Sequence, residues 1–465
     1  MEFVIGIILV LTFFGLAYYC VKGHNLMIGF LIISIVWTAL SLLGTLVASP
    51  TFIAENPILQ FGGDSGTTLV SILNKIYQSA PEGWGTTLVN VCWGAWFGRV
   101  LMETGIASTL IRKTVELGGD RPIITIVLLN VVTAFIFTAM MGAGPVIAIG
   151  VIVLPILMSL GIPKAIAMFT FMGSVSAGMY LNPVLQFSQL RAFICASDEM
   201  PEFPFSWYTS HWGIYALIIS VVVVSVLTGI YLKIGKKSHA WAAQAAPKNT
   251  QTDAPLIALI LPIVPVVLKI WLDFSVIGGF VIAGFAALFL CGKMNKSFKE
   301  NCQLVNKLYY DGVVDTAPLV GFLLTLPMFN TCASYASPYF KEVLGGIMPT
   351  NEYVVCALFA ALSILGFFRG PLTLYGCGAA TLGVLSSVGH FSVPFLFCVF
   401  TIPATTVNVG SCITQSWIAW GLAYTKVESR DYLKLSIPFA YICSILLYIL
   451  TAFTVTGLGP EWFLS

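Results

Sequence analysis

Long apolar stretches without a charged residue constrain this chain more than any other feature of its sequence. Examples are Val4–Tyr19, Met27–Val47, Trp212–Leu232 and Leu435–Val455. Each approaches or exceeds the roughly 20 residues that an α-helix needs to cross a hydrocarbon core. They lack the period-two alternation that is typical of membrane β-strands. The sequence therefore predicts an all-α polytopic membrane protein with about 11–12 membrane segments.

The composition supports this interpretation. Of the 465 residues, 58% are hydrophobic and only 9% are charged, whereas about a quarter of the residues in a soluble domain are charged. The net charge of +2 gives no indication of nucleic-acid binding. The 11 cysteines and four histidines are scattered, so we expect neither a metal site nor a disulfide framework. Met1–Tyr19 has no basic start and no cleavage site, which predicts a first membrane helix rather than a signal peptide.

The distribution of lysine and arginine predicts which loops face the cytoplasm. Basic residues concentrate in 233–253 and 292–310, so both segments are expected inside, and the acidic loop 48–86 is expected outside. The loops 182–210 and 334–352 carry one basic residue each and are also expected outside. This arrangement places both termini outside the inner membrane of a bacterial cell.

Two landmarks recur at one offset along the chain. Gly144-Pro145 and Gly370-Pro371 lie 226 residues apart, and Asn182 and Asn408 are separated by the same distance. The predicted orientation of the loops is reversed between the two halves. Inverted repeats with breaks at matching positions are typical of secondary transporters, whose binding sites lie at those breaks.

These landmarks predict the domain organisation. We expect an N-terminal repeat over residues 1–233 and a cytoplasmic linker over 234–253. An inverted C-terminal repeat is expected over residues 254–465.

Four interruptions of the apolar runs, at 141–146, 173–183, 369–378 and 403–415, predict broken helices. An unpaired backbone group in lipid costs several kcal/mol, so a break persists only where protein, water or a ligand satisfies it. Broken helices offer their N-termini to anions and their free carbonyls to cations. A polar site at mid-membrane is therefore expected.

The candidate site consists of the small and polar residues of these breaks, with no catalytic residue among them. The expected substrate ligands are Arg369, Gly144, Ser174, Ser176, Asn182, Thr373, Thr405, Thr406, Asn408, Ser411 and Gln415. The expected helix-breaking residues are Gly142, Pro145, Pro183, Gly370, Pro371 and Gly410.

Charged residues at the ends of apolar runs allow two interpretations each. Arg369 either binds a substrate carboxylate bidentately or extends its side chain to the membrane interface. Arg99 and Glu103, four residues apart, are expected to pair with each other on one helix face. Asp311 and Asp315, at the start of an expected span over 312–330, are either a proton site or charges at a helix N-terminus.

Amphipathic stretches at 105–117 and 296–310 predict interfacial helices.

The small-residue breaks resemble those of a known group of carriers. Leu154-Pro155, Leu160–Pro163 and Asn182-Pro183 in the first half, with the segment Phe368–Ala380 in the second, resemble the ion transporter superfamily. The branches that the chain resembles are the gluconate permeases and the anaerobic C4-dicarboxylate carriers. In the second half, Asn408-x-Gly410 is similar to the distal motif of the dicarboxylate carriers.

The resemblance implies a secondary active transporter that imports a small organic anion, such as a sugar acid or a di- or tricarboxylate. It implies coupling to H⁺ or Na⁺, no other cofactor, and an elevator-like motion of a site domain in the lipid bilayer. A passive anion channel and a Na⁺-coupled carrier or exchanger of another small polar metabolite are the alternatives. The oligomeric state stays open, with a homodimer among the options. An intramembrane enzyme is disfavoured, because neither H-E-x-x-H nor G-x-S-x-G occurs in the chain.

Overall fold

The computed structural model describes most of the chain as α-helix. The described residues are 1–22, 24–60, 68–118, 122–140, 142–194, 203–234, 253–272, 274–346, 349–376, 378–388 and 391–458. No β-strand occurs in these ranges. The expected linker over 234–253 lies almost entirely outside the described residues.

The helices of the first half run from the N-terminus to residue 234. They are α1 (Glu2–Val21), α2 (Leu26–Val47), α3 (Pro50–Glu55), α4 (Leu69–Asn74), α5 (Ala80–Gly83), α6 (Gly85–Glu103), α7 (Ile106–Gly118), α8 (Pro122–Phe137), α9 (Ala143–Ser159), α10 (Lys164–Met179), α11 (Gln189–Ile194), α12 (Phe205–Tyr208) and α13 (Ile214–Ile234).

The helices of the second half begin after a 3₁₀ segment, Leu256–Ile263. They are α14 (Val264–Leu272), α15 (Val276–Leu290), α16 (Phe298–Leu344), α17 (Glu352–Ala361), α18 (Gly378–Val388), α19 (Val393–Ile402), α20 (Ser416–Thr425) and α21 (Ser429–Thr454).

Several helices are suited to cross a membrane. Within the described ranges, Met27–Val47, Phe205–Lys233 and Ser429–Thr454 are long and apolar enough to do so. The pair formed by α17 and the 3₁₀ segment Ser363–Arg369, bent by 64°, raises the number to four if it counts as one span. The same ranges hold further apolar helices of 10–17 residues.

The outward surface of these helices is apolar. On α13, the side chains of Ile218, Val222 and Val226 are 51%, 53% and 55% exposed. A spacing of four residues puts all three on one helix face. Such a face is stable against lipid rather than water, because burial of apolar surface away from water is favourable. The prediction of an all-α polytopic membrane protein is confirmed.

The long helix α16 is the axis of one group of helices, which we call the α16 group: α1, α2, α6, α14, α15 and α16. Phe329 of α16 stacks on Phe30 of α2 at 4.7 Å between ring centroids, and Trp37 lies 5.2 Å from the same ring. Trp93 of α6 meets Tyr309 of α16 at 5.5 Å. Aromatic pairs at these separations stabilise helix contacts beyond their buried area.

The continuity of α16 corrects two predictions. The stretch 296–310 is not a separate interfacial helix, and 334–352 is not mainly a loop, since α16 runs unbroken from Phe298 to Leu344. Ser297 caps its N-terminus, and hydrogen bonds from Ser297 lower the pKa of the Glu300 carboxyl. Its last turns are held by α1 and α2, where Gly6 and Gly44 leave room for Tyr339.

The remaining long helices form a second group, which we call the break group: α8, α10, α13, α17, α19 and α21 with the broken segments between them. Thr170 of α10 and Thr228 of α13 share a hydrogen bond of 2.7 Å, and Phe169 of α10 meets Phe439 of α21 at 5.6 Å. Trp212 donates to Thr451 of α21 at 3.0 Å. Buried polar pairs of this kind join the helices of both chain halves.

Two further expectations concern the loops. The amphipathic stretch 105–117 is confirmed as a helix, α7. The expected outside loop 182–210 is wrong for its first part. There the π-helical segment Pro183–Ser188 and α11 continue the chain as helix.

Candidate functional site

The first break separates α8 from α9. Gly142 precedes α9 with φ of +90°, a backbone conformation that residues with a Cβ rarely adopt. Gly144 and Pro145 lie inside the first turn of α9, so the break comes earlier than the expected 141–146 and involves residues from Thr138 onwards. Pro145 suits this position because the first turn of a helix does not need its missing N–H.

Asn182, which lies in the second break, forms hydrogen bonds with the backbone of the first break. Its side-chain amide donates to the carbonyls of Phe137 at 3.2 Å and Met140 at 3.1 Å, at the end of α8. Its Oδ1 accepts from the N–H of Val184 at 3.1 Å. These carbonyls have no partner within α8, so Asn182 supplies hydrogen bonds that would otherwise be missing. The geometry gives Asn182 a role in holding the backbone.

The second break begins later than expected. α10 is regular up to Met179, so Ser174 and Ser176 lie within a helix and not in the expected break over 173–183. Ser174 donates to Asn130 of α8 at 3.0 Å, and Ser176 donates to the carbonyl of Thr405 at 3.2 Å. The break itself spans residues 180–188, and Pro183 begins its π-helical part.

The third break contains a strained turn. Phe368 and Arg369 have φ of 54° and 62° in succession, and the helix ends at Gly370. A residue with a Cβ in this region costs on the order of 1–3 kcal/mol and persists only where the surroundings enforce it. Pro371 lies in the turn that follows, with its carbonyl accepting from Thr381 of α18 at 2.6 Å. The structure has a break near the expected 369–378, but it starts two residues earlier, at Phe367, and ends before Gly378, where α18 begins.

The strained turn positions the guanidinium of Arg369. Its Nη1 donates to the carbonyl of Tyr375 at 3.1 Å, and its Nη2 donates to Oε1 of Gln415 at 3.1 Å. The side chain is half-buried and links the third break to the fourth.

The fourth break is π-helical from Pro403 to Val409 and ends in a turn at residues 412–415. Thr405 accepts a hydrogen bond from the amide of Gln186, and Thr406 shares one of 2.5 Å with the hydroxyl of Tyr180. Both bonds join this break to the second one. π-Helical segments are frequent at functional sites.

Gly410 and Ser411 complete the fourth break. A Cβ at Gly410 would lie 2.6 Å from Cβ of Ser176, so only glycine lets α10 pass this closely. Ser411 donates to the carbonyl of Thr406 at 2.9 Å, and Gly410 accepts from the hydroxyl of Tyr432 at 2.6 Å.

Several buried polar atoms in or next to these breaks have no hydrogen-bond partner among the described residues. Both amide atoms of Asn408, Oγ1 of Thr373 and Nε2 of Gln189 have no hydrogen-bond partner among the described residues. All three side chains are 0% exposed. A buried polar group left unpaired costs about 1–3 kcal/mol. Each such group in a native structure calls for a ligand, an ion or ordered water.

The two asparagines at the shared offset therefore differ. Asn182 is satisfied by backbone groups, whereas the amide of Asn408 has no partner in the described part of the chain. Seven of the residues expected to bind a ligand lie in the connected third and fourth breaks: Arg369, Thr373, Thr405, Thr406, Asn408, Ser411 and Gln415.

Three residues of the site are not named by the sequence predictions: Tyr180, Gln186 and Gln189. Tyr375 lies in the expected third break. Tyr375 donates to Oε1 of Gln189 at 3.3 Å, which joins the third break to the start of α11. A signal for the glutamines is present in the sequence, since Gln186 and Gln189 are polar residues three apart within an apolar run. The expected outside loop over 182–210 obscured that signal.

An ion pair of the α16 group adjoins the first break. Arg99 donates to both carboxylate oxygens of Asp315, each at 2.6 Å, and Glu103 pairs with Lys293 at 3.5 Å. The expected Arg99–Glu103 pair is therefore wrong. Asp315 lies within α16 and not at its start, so it is no N-terminal charge.

Comparison with solved structures gives a fold match. The chain is similar to the crystal structure of the Alcanivorax borkumensis YdaH transporter, which is described as having an unusual topology. The TM-score is 0.57 at 13% sequence identity, over 92% of this chain and 98% of that one. No family model matches the chain. No curated protein matches it by sequence.

Proposed function

We propose that this protein is a secondary active transporter that imports a small organic anion in symport with H⁺ or Na⁺. The solute would be a sugar acid or a di- or tricarboxylate, carried without chemical change. The fold shared with a transporter supports this proposal, as does the resemblance of the breaks to the ion transporter superfamily. The proposed location is a bacterial inner membrane.

The observation that carries the proposal is the set of buried, unpaired polar atoms where the breaks meet. Gln189 and Asn408 present amide hydrogens, and Thr373 presents a hydroxyl, with no partner among the residues described. These groups recognise oxygen atoms of a polar solute, which would supply the missing hydrogen bonds.

The local charge supports an anionic solute. Across residues 138–142, 180–188, 367–376 and 403–415, the only charged side chain is that of Arg369. Its guanidinium matches a carboxylate in geometry and remains charged at membrane depth. Hydrogen bonds to Tyr375 and Gln415 hold the guanidinium among the breaks. This placement favours substrate binding over extension to the interface.

The division into two helix groups is consistent with alternating access. The breaks belong to the break group, and the first of them faces Asp315 and Thr316 of α16. An elevator-like displacement of the break group along the α16 group would expose the site to either side in turn.

Transport is tested by counterflow into proteoliposomes with a panel of carboxylates that includes gluconate, succinate and citrate. We expect uptake of at least one acid above empty liposomes, with accumulation only when an H⁺ or Na⁺ gradient is imposed. Equilibration without any gradient dependence would favour the channel. No uptake of any member would contradict the proposal.

The role of Arg369 is tested by Arg369→Ala and Arg369→Lys. We expect Arg369→Ala to abolish uptake, because loss of a buried charge-assisted contact costs about 2–5 kcal/mol. Arg369→Lys should retain a fraction, since lysine keeps the charge without the bidentate geometry. Arg112→Ala is the matched control, because Arg112 lies on α7 and forms an exposed ion pair with Asp253. Equal uptake kinetics in Arg369→Ala and Arg112→Ala would assign Arg369 to a structural role.

A further inference from the structure

The side chain of Gln189 is held in one orientation. It begins α11, directly after the π-helical segment Pro183–Ser188, and is 0% exposed. The hydroxyl of Tyr375 donates to its Oε1 at 3.3 Å. The carbonyl oxygen of the amide is therefore engaged, and Nε2 is left as a pure donor with no acceptor in the described ranges.

A second unpaired group comes from the opposite chain half. Thr373 lies two residues before Tyr375 and is also 0% exposed, with its Oγ1 unpaired among the described residues. Gln189 begins α11, directly after the second break, and Thr373 lies in the third break. Two segments from different halves of the chain therefore each bring an unpaired polar group close to Tyr375. A solute that offers acceptor oxygens satisfies the amide, whereas an ammonium or methyl group leaves its N–H groups without a partner.

Tyr375 also connects Gln189 to the cationic residue of the site. Its backbone carbonyl accepts from Nη1 of Arg369 at 3.1 Å, while its phenol contacts Gln189. The guanidinium of Arg369 and the amide group of Gln189 thus contact opposite ends of one tyrosine. A solute that reaches both needs two oxygen-bearing groups separated by a short carbon chain.

We propose that Gln189 is a specificity-determining residue that donates its amide hydrogens to a second carboxylate or carbonyl group of the substrate. Tyr375 is the positioning residue that fixes the orientation of the amide. The class of substrate is then a dicarboxylate or an oxo acid rather than a simple monocarboxylate. This inference rests on the proposed function, and its test separates the two.

The test is a binding comparison on the purified full chain with three acids of equal chain length: succinate, butyrate and 4-aminobutyrate. They share one carboxylate and differ at the far end, which is an acceptor, a methyl group or a donor. We expect the wild type to bind succinate about tenfold or more tightly than butyrate, a difference of about 1.4 kcal/mol.

Two substitutions of Gln189 and one of Tyr375 test the proposal. Gln189→Met keeps the length of the side chain without its donors, so the preference for succinate over butyrate should fall to about twofold or less while butyrate affinity is retained. Gln189→Glu offers acceptor oxygens and should shift the preference towards 4-aminobutyrate. Tyr375→Phe frees the amide to rotate and should weaken the discrimination between succinate and 4-aminobutyrate. A gain of binding for one ligand cannot arise from misfolding.

The matched control is Tyr231→Phe, whose hydroxyl donates to the carbonyl of Leu435 at 3.0 Å between α13 and the start of α21. It should leave all three affinities unchanged. An unaltered succinate-to-butyrate ratio in Gln189→Met overturns the proposal, and so does a wild type that binds no four-carbon acid. Binding of gluconate or citrate in that case would leave the proposed function standing, whereas binding of no carboxylate at all would remove both.

Discussion

The backbone of Gly144 packs closely against the carboxylate of Asp315 on α16. A Cβ at this position would come within 3.0 Å of Cγ, Oδ1 and Oδ2 of Asp315. That carboxylate is fixed by two hydrogen bonds from Arg99. Because the ion pair is only partly exposed, with 28% and 14% of the two side chains accessible, it has little freedom to give way.

We expect Gly144→Ala to destabilise the protein by about 1–3 kcal/mol, because an added methyl group in a packed contact forces neighbours to move. Asp315→Ala removes the carboxylate atoms that the new methyl group would meet. Adding Gly144→Ala to Asp315→Ala should therefore lower the stability only slightly further. The measurement is thermal unfolding in detergent of both single variants and the double variant. Gly229→Ala is the control, since a Cβ there meets nothing within 4 Å. Additive losses in the double variant would show that Gly144 and Asp315 do not interact.

The pairing of Arg99 illustrates what a sequence leaves undetermined at this scale. Spacing suggested Glu103, four residues away on the same helix, as the partner. The observed partner, Asp315, is 216 residues away and reaches Arg99 only because α6 and α16 pack together. Local spacing carries no information about such a contact, so the prediction chose the nearest opposite charge.

At the scale of elements, the positions of the breaks were predictable from composition, because glycine and proline weaken helices locally. The residues at which the breaks begin and end were less predictable. Ser174 and Ser176 marked the second break by polarity, yet a helix in protein surroundings accommodates serines whose hydroxyls find partners. The sequence predicted an interfacial helix, a span and a loop in place of α16, because the start of this segment is charged and its end is polar. Neither feature interrupts the backbone hydrogen bonds of a helix. Pro318, Pro327 and Pro338 lie within it without ending it, as neighbouring helices permit.

The contact between α6 and α16 gives a prediction about elements. A Cβ at Gly312 would lie 2.9 Å from the backbone carbon of Ala95 and 2.9 Å from the backbone nitrogen of Trp96. Backbone cannot move aside as a side chain does, so Gly312→Ala should push the two helices apart and cost about 1–3 kcal/mol. Gly321→Ala on the same helix meets only the sulfur of Met27, at 3.3 Å, and should cost less. Equal melting temperatures for the two variants would contradict this close packing.

At the scale of the whole molecule, the class of fold followed from the length and apolarity of the helices. The partition into an α16 group and a break group did not. It depends on aromatic contacts such as Trp37 with Phe329, between residues almost 300 positions apart, which no periodicity records. The proposed site then draws on Gln189 from one half of the chain and Tyr375 from the other, so neither half contains it alone.

The orientation in the membrane is a prediction at this scale. Basic residues in 233–253 and 292–310 predict that these segments lie in the cytoplasm and that both termini lie outside. An epitope added at either terminus should be labelled in intact spheroplasts, and one inserted in the 233–253 segment only after permeabilisation. The reverse pattern would show that the distribution of lysine and arginine misleads for this chain.

The left-handed turn at Phe368 and Arg369 creates a conflict between stability and the proposed activity at position 369. Glycine adopts φ near 62° without the penalty that arginine bears there. Selection for heat tolerance alone would therefore favour a glycine at position 369 and silence the proposed transporter. An arginine in this backbone conformation is what one expects where the charge serves the proposed transport rather than folding.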